Sequence, residues 1–288
     1  MIGEIYAIAT AILRGFAVIP IRKGLTQSTP TTSALIYLVI NTAILWGIVA
    51  LFYPLDSIMT EGTIYFVLAG VAAPGIAARF RDMGIKRLGV TLTSPIVGTT
   101  TFISMTLAVL FLGESLTLTL ILGAVLIFIG VNFLTRGGSQ TDWRMRDLVY
   151  PIAAAVLFAL STNLRKIGLM KIEYPVVGAA LTSAVSLATL LAFIAISRVR
   201  GTDGWAVELN SASLKYFGFS GFISSVAFLF YFMALNSSYI VKIQPISGSN
   251  PLFALIFSYI FLRDVERVNG RTVLATILIV SGIALITL

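Results

Sequence analysis

Apolar runs of about 20 residues, divided by short polar stretches, recur along the whole 288-residue chain. A helix of that length crosses a bilayer. The pattern predicts ten such helices, over residues 2–21, 33–53, 63–85, 90–112, 117–135, 148–169, 175–197, 214–235, 239–262 and 268–288. The connections are short. The two longest, RGGSQTDWRMRD (136–147) and RVRGTDGWAVELNSAS (198–213), are rich in Gly, Ser and charge, as aqueous loops are. The first run is expected to remain as a span. No basic region precedes it, Arg22 and Lys23 follow it, and it shows no small-residue cleavage pattern.

The runs fall into two related halves. Ala77–Pro95 (AARFRDMGIKRLGVTLTSP) pairs with Ala227–Pro245 (AFLFYFMALNSSYIVKIQP), with Ala77/Ala227, Phe80/Phe230, Met83/Met233 and Pro95/Pro245 identical. IRKGL (21–25) answers LRKIGL (164–169), SPIVG (94–98) answers QPISG (244–248), and FLGE (111–114) answers FLRD (261–264). The offset grows from 143 to 150 residues because the second half has the longer loop after its second span. The expected division is a first repeat over 1–135, a linker over 136–147 and a second repeat over 148–288. Five spans per half is an odd number, so the second half enters the membrane from the opposite face. The predicted fold is therefore an all-α integral membrane protein with ten transmembrane helices arranged as two inverted five-helix repeats. Inverted repeats are a signature of transporters whose site lies near the midplane between the halves.

Composition supports the membrane class. The chain is 58% hydrophobic and 11% charged, where a soluble domain carries about a quarter charged residues. It has no Cys and no His, which removes thiol chemistry and the commonest metal ligand. Neither a cofactor nor a metal is expected. The net charge of +8 sits in loops between apolar runs rather than in a basic stripe, so no nucleic-acid partner is expected. One set of loops holds Arg22, Lys23, Lys86, Arg87, Arg136, Arg144, Arg146, Arg198, Arg200, Arg263 and Arg267. The other holds little beyond Arg165, Lys166 and Lys171, with Lys242 near its edge. By the positive-inside rule both termini face outward. The rival class is a polytopic membrane enzyme acting on a lipid-linked substrate. Such enzymes cluster carboxylates around a divalent metal, whereas the acidic residues here are scattered, with no DxxD pair and no nucleophile–base couple.

Several residues are candidates for chemistry. Arg14 lies about 18 Å along the first span, deep in a core of about 30 Å. A charge there costs at least about 2.5 kcal/mol and must meet protein, water or an anion. Its planar fork suits a carboxylate, and Asp82 is the competing partner. Arg79, Arg81 and Asp82 are charges that the twin segment lacks, having Leu229, Tyr231 and Phe232 instead. If the third span runs its full length they lie just inside the membrane edge, with Arg79 and Asp82 on one face, and serve charge recognition or coupling. If it ends after Pro74-Gly75 they form a solvated loop. Pro95 and Pro245, followed by Gly98 and Gly248, interrupt the fourth and ninth spans at matching places, and paired interruptions point to a transport site. Thr93, Ser94, Thr99, Thr100 and Thr101 surround the first interruption, and Gln244, Ser247, Ser249 and Asn250 the second. A polar cavity is expected there, with Tyr231 and Asn163 as further candidates and Asn41 a weaker one. Glu114 and Asp264 are expected to serve the N-terminus of the helix that follows each.

Five helices twice over, a basic pair closing the first helix of each half, a mid-helix Pro, GESLTLTLILGAVLIFIGVNFL (113–134) and MALNSSYIVKIQP (233–245) together resemble the EamA branch of the drug/metabolite transporter superfamily. The resemblance covers essentially the whole chain. It implies a ten-helix basket in the plasma membrane that moves a small metabolite, often an amino acid, by alternating access. The expected partners are a small-molecule substrate, a coupling proton or ion, and membrane lipid, with the chain a monomer or homodimer. The resemblance also implies termini on the inside, against the charge count. Small four-helix multidrug relatives carry a membrane carboxylate near the place where this chain has Arg14-Gly15, which speaks against cationic cargo. A carboxylate-bearing amphipathic solute fits these residues better.

Overall fold

The computed structural model describes residues 1–54, 58–88, 93, 96–135, 144–201, 205–261 and 270–287. The side chains of a few residues within helices, Asp82 among them, are outside that description. Every regular element among the described residues is helical. The helices are α1 (Ile2–Leu25), α2 (Pro30–Phe52), α3 (Thr63–Gly70), α4 (Ala77–Leu88), α5 (Thr100–Leu112), α6 (Leu118–Thr135), α7 (Val149–Leu169), α8 (Pro175–Val199), α9 (Ser211–Ser237), α10 (Ile240–Ser247), α11 (Asn250–Phe261) and α12 (Gly270–Thr287). Among the described residues, six stretches are long and apolar enough to cross a membrane: α1, α2, Thr63–Arg81, Met145–Leu169, α8 and α9. Ile96–Leu112, Leu118–Phe133 and Val273–Thr287 are shorter apolar helices.

Local chemistry sets the helix ends. Thr29 caps α2 by accepting from the Thr32 N–H at 3.2 Å, and Pro30 occupies the first turn, where its missing N–H costs nothing. Asn210 caps α9 through the Ala212 N–H at 3.0 Å. Gly113 closes α5 in the left-handed region, with φ of 66°, a conformation that a side chain makes costly.

Packing runs mostly between the halves. The first span, α1, lies chiefly on α9 and α11, while α7 lies on α3, α4 and α5. α2 packs on α8 and α9, α8 on α3, and α6 on α12. At the α6–α12 contact, Gly123 and Gly282 face each other so closely that a Cβ on Gly282 would stand 2.6 Å from the Gly123 carbonyl oxygen. Small residues allow such approach where no hydrophobic drive separates helix from lipid. Toward the end of the molecule that holds the N-terminus, Ala7, Val49, Phe66, Leu169, Phe232, Leu235, Ile240 and Ile243 form a closed apolar core.

A polar seam lies beyond that core. The Glu4 carboxylate meets the Met1 ammonium at 2.7 Å, the Ser238 hydroxyl at 3.1 Å and the Lys242 ammonium at 3.9 Å. Lys166 donates to the Leu235 and Ser238 carbonyls at the C-terminal end of α9. Glu114 is buried and accepts from the Ile240 and Val241 N–H groups at 2.9 and 3.0 Å. Its carboxylate therefore serves the N-terminus of α10, in the other half of the chain, and not the helix that follows it in sequence. Asp264 lies outside the described residues.

Candidate functional site

The third span is broken, though its helical path resumes. Ala73 is extended (φ −152°, ψ 137°), and Pro74 follows it inside a π-helical turn over Val71–Ile76. Beyond the break α4 carries Arg79 and Arg81 on to Leu88, so the reading in which the helix stops at Pro74-Gly75 does not hold. Pro74 has no N–H for the carbonyl four residues back. Side chains from other spans meet the freed carbonyls instead. Ser186 donates to Gly70 at 3.2 Å, and Ser161 to Ala69 at 2.9 Å and Ala73 at 3.3 Å. Arg165 donates through Nη2 to Ala73 at 2.8 Å. Ser161 and Arg165 are one turn apart on α7 and share a face. Such re-satisfaction is what permits irregular backbone at membrane depth.

The fourth and ninth spans break at matching residues. The Thr99 N–H and hydroxyl both donate to the Ile96 carbonyl, at 3.1 and 2.6 Å. The Ser249 N–H and hydroxyl both donate to the Ile246 carbonyl, at 3.1 and 2.7 Å. The donor and acceptor residues of the two turns are each 150 positions apart.

These breaks border one cavity of about 580 Å³. It reaches from Tyr231 and Gln244 to Arg81 and Asn132, on the side of the apolar core away from the N-terminus. Pairs related by the 150-residue offset line it together: Gly98 with Gly248, Thr100 with Asn250, Thr101 with Pro251, and Arg81 with Tyr231. α6 contributes an apolar wall of Ala124, Ile127, Phe128 and Val131. Arg14 enters from α1 and rests over the Tyr231 ring, 4.9 Å from its centre. The Tyr231 hydroxyl meets Gln244 Oε1 at 2.6 Å and the Thr162 hydroxyl at 3.2 Å. Among the described lining residues there is no Asp or Glu. The arrangement is a hollow lined by cationic, aromatic and hydroxyl-bearing side chains.

A model of the EamA-like transporter family matches residues 1–136 and 147–288. The chain belongs to that family. It is 21% identical over 288 residues to a protein of Archaeoglobus fulgidus described as an uncharacterized transporter, covering 100% of this chain and 99% of that one. A solved crystal structure superposes with a TM-score of 0.79 over 99% of this chain and 96% of the other, at 14% identity. That likeness speaks for the fold alone. With its apolar helices, this EamA-like protein is a multi-pass membrane protein of a transporter family.

Within the EamA-like fold the sequence candidates separate. Arg14, Arg81, Thr100, Tyr231, Gln244, Asn250, Gly98, Pro245 and Gly248 line the cavity, with Thr93 and Thr101. Thr99 and Ser249 close the helix breaks beside it. Asn163 is not among the lining residues. Its amide is buried and donates to the Ala159 and Ser104 carbonyls at 3.0 and 3.1 Å, tying α7 to α5. Arg79 rests over the Trp205 ring at 4.9 Å. Ser94 and Pro95 lie outside the described residues, as does the Asp82 side chain, so the proposed Arg79–Asp82 pair lies there too. Buried Asn41 has no hydrogen-bond partner among the described residues and does not line the cavity.

Sequence reasoning missed Arg165, which it counted among the loop cations. Arg165 is buried, lines the cavity and stands against the Phe228 and Phe232 rings at 5.4 and 5.7 Å. The signal was available. Ser161, Thr162, Asn163 and Arg165 place four polar residues inside one predicted span. Tyr37 and the α6 wall were also missed, because a tyrosine or an apolar stripe in an apolar span gives no sign of its neighbours.

Proposed function

We propose that the protein is a secondary transporter that carries a small carboxylate-bearing amphipathic solute across the plasma membrane by alternating access. Its ten spans form two inverted repeats, 1–135 and 148–288, joined by 136–147. The reciprocal contacts of α1 with α9 and α11, and of α7 with α3, α4 and α5, support that arrangement. So do the matching turns at Thr99 and Ser249.

The observation that carries the reading is Arg14. It is a guanidinium at membrane depth, facing a hollow and an aromatic ring, with no acidic residue among the described lining residues. A charge so placed is costly until an anion meets it. The apolar wall on α6 then receives the rest of the solute. The cavity lies toward the loops rich in Arg and Lys, which the positive-inside rule assigns to the cytoplasm. The opposite side is closed by the apolar core and the seam of Glu4, Glu114 and Lys166. This conformation is accordingly inward-open.

The test is uptake of carboxylate solutes by proteoliposomes bearing the full chain. Arg14→Met should abolish uptake while the protein remains folded by size-exclusion and melting. Arg14→Lys should keep the charge but raise KM, since it lacks the two-point fork. Undiminished uptake by Arg14→Met defeats the reading.

A further inference from the structure

The cavity holds a second guanidinium besides the half-buried Arg14, and this one is buried. Arg165 is 7% exposed, lines the cavity and stands against the Phe228 and Phe232 rings. Its Nη2 donates to the Ala73 carbonyl, and its Nε is buried without a hydrogen-bond partner among the described residues. Arg14, Arg165 and Tyr37 line the same cavity. Neither arginine has an acidic partner among the described residues. Low-dielectric surroundings make two such charges costly together, and their mutual repulsion adds to the cost.

Charge balance then ranks the possible solutes. Arg81 also lines the cavity but is exposed, so the balance at depth is set by Arg14 and Arg165, and a zwitterion adds no net charge to those two cations. Its ammonium finds no Asp or Glu among the described lining residues. A monocarboxylate cancels one of the two charges. A headgroup with two negative charges cancels both, and still leaves an apolar body for Ala124, Ile127, Phe128 and Val131.

Resting on the reading of this cavity as the solute site, we propose that the cargo's polar end carries two negative charges, as a phosphate monoester or a pair of carboxylates does, and that Arg165 sets this preference. Arg14 supplies the first contact and Arg165 the second, so amino acids are disfavoured despite their carboxylate.

Four probes that share a benzene ring decide the matter: phenyl phosphate, phenylsuccinate, benzoate and phenylalanine, titrated by calorimetry into the full-length protein in detergent at pH 8. Phenyl phosphate or phenylsuccinate should bind at least about tenfold tighter than benzoate and phenylalanine, a low estimate for one buried charge partner. Which of the two leads identifies the headgroup. Arg165→Gln keeps an amide able to donate to Ala73. It should lose the advantage of the doubly charged probes while benzoate stays within about threefold, and Arg165→Lys should retain part of it. Equal or tighter binding of benzoate or phenylalanine by the wild type overturns the double-charge proposal and leaves the anion reading standing. So does a parallel loss for all probes in Arg165→Gln, which marks a purely structural arginine. If that variant does not fold, the wild-type ranking decides alone. Failure of all three anions to bind overturns both readings.

Discussion

Replacing Glu114 tests how the two halves are held together at the closed end. Its two carboxylate oxygens accept the Ile240 and Val241 N–H groups at 2.9 and 3.0 Å, at the start of the eight-residue helix α10. Those donors have no partner within their own helix. The carboxylate also meets the positive end of the helix dipole. Hydrogen bonds to a charged group contribute about 1.5–3 kcal/mol each, and a buried donor left unsatisfied costs a similar amount. Glu114→Ala strands both donors and should cost about 3–6 kcal/mol. Glu114→Gln keeps one acceptor oxygen but presents an NH₂ to the other donor, so it should cost about 2–3 kcal/mol. At about 2 °C per kcal/mol for a chain of this order, melting in detergent should fall by about 6–12 °C and about 4–6 °C respectively. Intrinsic fluorescence follows it directly, since the chain has three tryptophans. Because the seam closes one end of the cavity's path, both variants should also raise the reactivity of a cysteine placed in the cavity toward reagent added from the terminal side. A Glu114→Ala protein that melts within about 1 °C of the wild type, with no change in labelling, would refute the reasoning.

Ser186→Ala removes the donor to the Gly70 carbonyl at 3.2 Å and should cost about 1 kcal/mol in thermal stability, without touching the cavity lining. Gly282→Val drives a side chain against the Gly123 backbone and should cost about 2 kcal/mol or more by separating α6 from α12; melting checks it, and an unchanged midpoint counts against the packing. Because the chain has no Cys, single cysteines report orientation. Ser115→Cys should react with an impermeant maleimide in intact cells, and Ser139→Cys only after permeabilisation; the reverse result puts both termini inside.

What was legible in the sequence divides along physical lines. The all-helical, membrane-spanning class was readable from apolar length, which the bilayer enforces locally. The paired breaks were readable because Pro and Gly fall at the same place in both halves, and there the repeat acted as a check. The same repeat misled elsewhere. Arg165 aligns with Arg22, which is exposed at the end of α1, so both were read as loop cations. Only the tertiary fold brings Arg165 against a carbonyl freed by a break 92 residues earlier. Pro74 has no counterpart in the second half, where position 224 is Ser, so Pro74-Gly75 was weighed only as a helix end and not as a break beyond which the helix resumes. Glu114 was assigned to the helix following it because proximity in sequence was the available guide. The left-handed Gly113 turns the chain, and the partner proves to be α10.

On the proposed reading, the departures from symmetry set the specificity. A pseudo-two-fold scaffold lined by equivalent residues would offer the same chemistry to both ends of a bound solute. Thr100 and Asn250, or Gly98 and Gly248, come near that condition. Arg81 and Tyr231 do not. They are equivalent by position, and both line the cavity, yet Arg81 is exposed and Tyr231 is 3% exposed. An arginine at the Tyr231 position would add a further cation beside Arg14 and Arg165, at the full cost of burial. Tyrosine there does the opposite. Its ring face attracts the Arg14 guanidinium, an interaction of about 0.5–2 kcal/mol, and its hydroxyl ties that ring to Gln244 on the broken ninth span. The aromatic member of the pair thus orients the deep cation, while the charged member stands nearer the mouth. On the proposed reading, the anionic end of the solute goes to Arg14 beside Tyr231, and the charge that the twin segment carries at Arg81 is left at the exposed side of the same cavity.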